Sequence, residues 1–98
     1  MLIKIIKSQR DVVAICDSDL IGKKFEEGNL QLEIKENFYL GQEADEEEVI
    51  ETIQKMVRED ATFNIVGENS VNAALKSGLI REEGIVKIQG IPVALVLL

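Results

Sequence analysis

Cys16 and Asp17 open the stretch CDSDLIGKKFEEG and raise the first chemical question. A thiol becomes a useful nucleophile when a positive charge or a helix N-terminus lowers its pKa. The change from strand to helix expected near Cys16 offers the second condition, but Asp17 and Asp19 oppose a thiolate with negative charge. The chain has no histidine, so a Cys–His pair cannot form within it. The favoured reading of Cys16 is a small apolar group at a strand end. Asp17 and Asp19 also form a D-x-D pair, an arrangement that can hold Mg²⁺ with a substrate phosphate. No third carboxylate follows closely, so the pair is read as capping the next segment, and no metal or cofactor is assigned.

Lys23 and Lys24 stand out in a chain with 11 basic and 18 acidic residues. On an exposed helix face they are balanced by Glu26 and Glu27; as a functional pair they would touch an anion or a phosphate backbone. A second candidate is NIVGENSVNAALKSG, where a strand passes through Gly67 into a helix. The free backbone N–H groups of a helix start attract anions, and Asn64, Asn69 and Ser70 would line such a site. Glu68 would compete with a bound phosphate, and neither G-x-x-x-x-G-K-[ST] nor G-x-G-x-x-G occurs. The candidate binding set is therefore Lys23, Lys24, Asn64, Gly67, Asn69 and Ser70, with Cys16 and Asp17 as the other candidates. The surface expected from them joins the lysine pair to the Gly67–Ser70 helix start.

The elements that must position these residues follow from the apolar pattern. LIKII and VVAI read as a hairpin of two strands. Asp17 or Ser18 is expected to cap a short helix running through Phe25 and ended by Gly28. LQLEIKE alternates as a strand does, and NFYLGQ reads as a loop whose aromatics close one edge of the core. DEEEVIETIQKMVRED carries Val49, Ile50, Ile53, Met56 and Val57 on one helical stripe, with capping-box spacing from Asp45 to Glu48. TFNIV is a strand. The helix after it is expected to be capped by Asn69 or Ser70 and to stop before Gly78. GIVKIQG and IPVALVLL end the chain as two strands. A helix between strands invites a parallel crossover, whereas the hairpins require antiparallel pairing. The expected fold is α+β: one globular domain over residues 1–98, with a mixed sheet and two main helices packed on it. A three-layer α/β arrangement is the alternative.

Composition limits the function classes. The 98 residues carry a net charge of −7, and 46% are hydrophobic. No basic stripe is present to neutralise phosphates, which excludes a broad nucleic-acid surface. A single cysteine rules out an intrachain disulfide, and no apolar run approaches the ~20 residues needed to cross a bilayer. A cytoplasmic protein without membrane association is expected. The uncharged IPVALVLL would offer a pairing site at a sheet edge, so a homodimer through this strand is considered.

Three segments taken together resemble a small archaeal family called domain of unknown function 424. They are Cys16–Asp17 with Leu20, Gly22 and Lys23; Phe38, Tyr39 and Gly41; and Asn64, Val66, Gly67, Ser70 and Val71. The resemblance implies an archaeal, single-domain protein without an assigned activity, from a family whose genes sit near those of translation. Relatives are more polar after the final proline, where this chain reads VALVLL. The leading expectation is a non-catalytic binding module linked to translation or RNA metabolism, with a ribosomal or RNA-associated protein partner. The alternatives are a small anion- or phosphate-binding protein or thiol enzyme using Cys16, and a self-assembling structural subunit.

Overall fold

Acidic residues at its start and a clean apolar stripe make one helix the anchor of the fold. The computed structural model describes residues 1–97 and places this helix, α2, at Glu46–Arg58. Asp45 accepts from the Glu48 N–H at 2.9 Å, and Glu48 accepts from the Asp45 N–H at 3.1 Å, closing a capping box. Val49, Ile53 and Met56 are buried and Ile50 partly so, whereas Val57 lies at the stripe's margin and is 37% exposed.

The sheet that receives α2 is built from β1 (Leu2–Ile6), β2 (Val12–Cys16), β5 (Gln42–Glu43), β6 (Thr62–Val66), β7 (Val86–Ile88) and β8 (Ile91–Val96), in the order β5-β1-β2-β6-β8-β7. β2 and β6 run parallel; every other neighbouring pair is antiparallel. The crossover from β2 to β6 contains α2, as a parallel pair requires. The second long helix, α3 (Glu68–Ser77), follows β6 directly. Gly78 ends it at φ +84°, returning its N–H to the last turn. The expected α+β class, with a mixed sheet and two main helices, describes the molecule.

Alternation along the strands divides the core between the two sheet faces. Val13, Ile15, Phe63, Ile65 and Ala94 face α2 and α3, meeting Val49, Ile53, Met56, Val71 and Ala74. Leu2, Ala14, Cys16, Val66 and Ile88 face the other way, against Leu20, Leu32, Ile34 and Tyr39. Fully burying one such aliphatic or aromatic side chain stabilises the fold by roughly 1.5–3 kcal/mol.

The second face is covered differently from the expectation. In place of a helix through Phe25 there is one 3-10 turn, Ser18–Leu20, followed by a hairpin of β3 (Lys24–Glu27) and β4 (Leu30–Glu33). Gly28, expected to end a helix, instead supplies the positive φ of +60° in the hairpin's turn. The reason is coverage. Phe25 lies opposite Leu32 in the hairpin, and this pair with Ile34 lays apolar side chains over Cys16, Ala14 and Val66. The expected aromatic loop contains a single helical turn, α1 (Glu36–Tyr39), which buries Tyr39 edge-on to Phe38 at 4.9 Å between ring centroids. Gly41 follows because a side chain there would overlap the carbonyl of Ile3.

Candidate functional site

Parallel pairing brings the ends of β2 and β6 together, with Cys16 opposite Val66. Ligands of open α/β sheets enter the crevice outside such carboxyl ends. Cys16, Asp17, Gly67 and Ser70 therefore converge where chemistry is to be sought.

The place is filled from within by Asp17. One carboxylate oxygen accepts from the Ser70 N–H and the Ser70 hydroxyl, both at 2.8 Å; the other accepts from the Asn69 N–H at 3.0 Å. The Asp17 N–H in turn donates to the Val66 carbonyl at 3.1 Å, extending the β2–β6 ladder by one step. Asp17 is 7% exposed and Ser70 fully buried. The helix N-terminus carries partial positive charge, so it balances a carboxylate that has left water. Gly67 permits the approach: its φ is +108°, and a Cβ there would overlap Asp17 Cγ.

The cap of α3 thus differs from the local one expected. Gly67 takes the N-cap position and has no side chain to offer, while Asn69 and Ser70 sit inside the first turn as donors. Their acceptor comes from 52 and 53 positions earlier. The backbone donors that would cradle a small anion are the ones Asp17 holds.

Cys16 is fully buried. Burial first, and then the negative charge of Asp17, pushes its thiol up to about 11, away from the thiolate that nucleophilic chemistry needs. Burial also pushes Tyr39 up to about 12. Ser18 donates to Glu43 at 2.5 Å, tying the turn after Asp17 to β5, and this bond holds the Glu43 carboxyl below its usual value.

The fold separates the other candidates. Lys24 lies on β3, in the layer over one sheet face, whereas the start of α3 lies in the layer over the other. The expected surface joining the lysine pair to Gly67–Ser70 is thus divided by the sheet. Lys24 Nζ stands 3.8 Å from Glu26 Oε1, both side chains more than half exposed. Lys23 is exposed, while its backbone holds the turn to Ile34 and Leu20. Asn64 lies between Ala14 and Leu95 across the sheet. Alternation places its side chain on the hairpin's side, away from Ser70.

Among the described residues, no group of three metal-ligating side chains occurs. Two grooves of about 410 Å³ flank α2, one beside Ile3, Ile5 and Leu40 and the other beside Ile53, Val57 and Leu79. Neither includes Cys16, Asp17, Lys23 or Lys24.

A family model described as "Protein of unknown function (DUF424)" matches residues 6–98. The chain belongs to the DUF424 family. This DUF424 chain is also similar to a solved structure, the crystal structure of an uncharacterized conserved protein from Methanopyrus kandleri. The two share 28% identity and superpose with a TM-score of 0.86, over 97% of this chain and 88% of the other. A search among curated proteins found no match. Several residues that carry the likeness to DUF424 have structural roles here. Asp17, Gly67 and Ser70 build the cap of α3, Cys16, Leu20, Tyr39 and Val66 lie in the core, and Gly41 allows a close backbone approach.

Proposed function

We propose that this chain is a non-catalytic binding module of the archaeal cytoplasm that serves translation or RNA metabolism by engaging a ribosomal or RNA-associated protein. The observation that carries this reading is the use made of its two most reactive side chains. Asp17 is held by three donors at the start of α3, and Cys16 is buried with a raised pKa. Asp17 ties β2 and β6 to α3, and Cys16 packs on the opposite sheet face under the β3–β4 hairpin, which leaves recognition to the surface. The link to translation rests on the family resemblance. The net charge of −7 favours a protein over a bare phosphate backbone as the principal contact. Lys23 and Lys24, exposed at the hairpin, are the basic contacts offered.

The test is affinity purification of tagged protein from an archaeal lysate, with and without nuclease, followed by mass spectrometry and RNA sequencing. Wild type is expected to recover ribosomal or RNA-associated proteins, and a Lys23→Glu/Lys24→Glu variant to lose them. The variant's stability should stay within about 0.5 kcal/mol of wild type, because exposed ion pairs contribute little. Recovery unaffected by the reversal removes the lysine surface; recovery of no partner overturns the module.

A further inference from the structure

We infer that the β3–β4 hairpin is a flap, which leaves the sheet while the rest of the fold stays intact and is latched by Glu27 on the Gln89 N–H.

Backbone bonding sets the hairpin apart. β3 and β4 pair with each other and form a two-stranded sheet separate from the six-stranded one. Their root is fixed: Ile34 is fully buried, its carbonyl accepts from the Gly22 N–H at 2.7 Å, and its N–H donates to the Lys23 carbonyl at 2.9 Å. Beyond that root, among the described residues, a single hydrogen bond joins the strands and turn of the hairpin to another element. It runs from the Gln89 N–H, in the turn between β7 and β8, to Glu27 Oε1 at 2.7 Å. Lifting the hairpin therefore breaks no ladder of the main sheet.

Side chains hold it almost as lightly. Along β3 and β4 only Leu32 is buried, at 8% exposure, and Phe25 opposite it is partly so; Lys24, Glu26, Glu27, Leu30, Gln31 and Glu33 are exposed. A two-stranded hairpin is marginal unless it packs on something else, so Phe25, Leu32 and Glu27 decide whether it stays down. The layer on the other sheet face is tied more firmly. There α2 and α3 bury Val49, Ile53, Met56, Val71, Ala73 and Ala74, and Asp17 fastens the start of α3. Segments with few buried apolar contacts release at a lower free energy than the whole fold.

The hairpin lies over β7. Ile88, 6% exposed, belongs to the same apolar cluster as Leu32, with Phe25, Ile91 and Val93 packed against it. Val86 lies opposite Val93, and Leu95 follows two residues later on the same side; both are already exposed. Lifting the flap joins Ile88, Ile91 and Val93 to Val86 and Leu95 in one apolar strip. The latch thus controls how much apolar surface this part of the sheet presents.

Thiol labelling under native conditions reads the opening, because it tracks the population of the open form. In a Cys16→Ala background, Ile88→Cys places a thiol beneath the flap and Ala74→Cys places one in the core on the other face. Ile88→Cys is expected to react with a maleimide on the order of a hundredfold faster than Ala74→Cys, at a rate nearly independent of urea below the unfolding transition. Glu27→Ala removes the latch and should speed that labelling about tenfold. Ile53→Val weakens the opposite core and should speed labelling of Ala74→Cys about fivefold while leaving Ile88→Cys unchanged. A second readout needs no new thiol: in wild type the Gln89 amide should exchange with solvent ahead of the β6 amides and with little dependence on urea. Equal labelling of the two thiols overturns the inference, as does an Ile88→Cys rate that follows global unfolding, responds to Ile53→Val or ignores Glu27→Ala. A Gln89 amide that exchanges only together with those of β6 overturns it too.

Discussion

The two ends of β6 sit in the same sheet and are finished in opposite ways. At the carboxyl end, where Val66 lies beside Cys16, the chain continues into a helix whose first donors meet a carboxylate, and Asp17 and Ser70 are buried. At the amino end, where Phe63 lies beside Val96, the neighbouring strand continues past its cover, leaving Leu95 and Leu97 exposed. The first end contains the polar residues that look like chemistry in the sequence, and they hold structure. The second contains none of them and leaves apolar side chains exposed. At Cys16, Asp17 and Ser70, residue types that look like chemistry in the sequence serve the cohesion of the fold.

The largest expected effect comes from opening the closed end. Gly67→Ala forces a Cβ into Asp17 at a positive φ and displaces the carboxylate from its three donors. A loss of about 3–5 kcal/mol in unfolding free energy is expected, combining strain with a broken buried network; urea denaturation measures it. Asp17→Ala comes next. It removes the acceptor without adding strain, for a loss of about 2–3 kcal/mol. Asp17→Asn keeps one acceptor oxygen and should fall between that variant and wild type in the same titration.

Cys16 gives the smallest effect and the clearest sign. Its thiol is raised from 9.0 to about 11. A group whose pKa rises on folding contributes stability that is complete below its unfolded value, and this is lost as pH climbs from about 9 through about 11. Stability should decline over that window and decline less steeply in Cys16→Ala. Tyr39, raised to about 12, preserves a later loss in both proteins. At neutral pH, native Cys16 should react with a thiol reagent far more slowly than the denatured chain; a free-thiol rate in the native protein would show this end to be open as well.

How much was legible in the sequence depended on range. α2 could be read because its stripe and its capping box lie within one segment, and the parallel crossover followed from a helix set between strands. The stretch after Cys16 could not, because Leu20, Ile21 and Phe25 fit an inward helical face as well as a turn and a hairpin. Only the opposite sheet face, which needed covering, decides for the hairpin. Local pattern assigns the cap of α3 to Asn69 or Ser70, because short polar residues at a helix start are the usual local signal. The actual acceptor is supplied by the register of β2 against β6, which no local pattern displays. Lys23 and Lys24 are exposed, as an outer helix face would have them, but they lie at a turn and on β3, and whether they share a side with Gly67 requires the layers themselves.

The reach of Asp17 across 52 positions also sets an order of events. Joining two points so far apart in the chain carries a loop-closure cost that a local serine or asparagine cap would avoid. The first turn of α3 therefore becomes fixed only after β2 has found β6, however favourable the helix is by itself. In the folded protein the same bond works as a latch: amides at the start of α3 are released to exchange with solvent when the β2–β6 pairing opens.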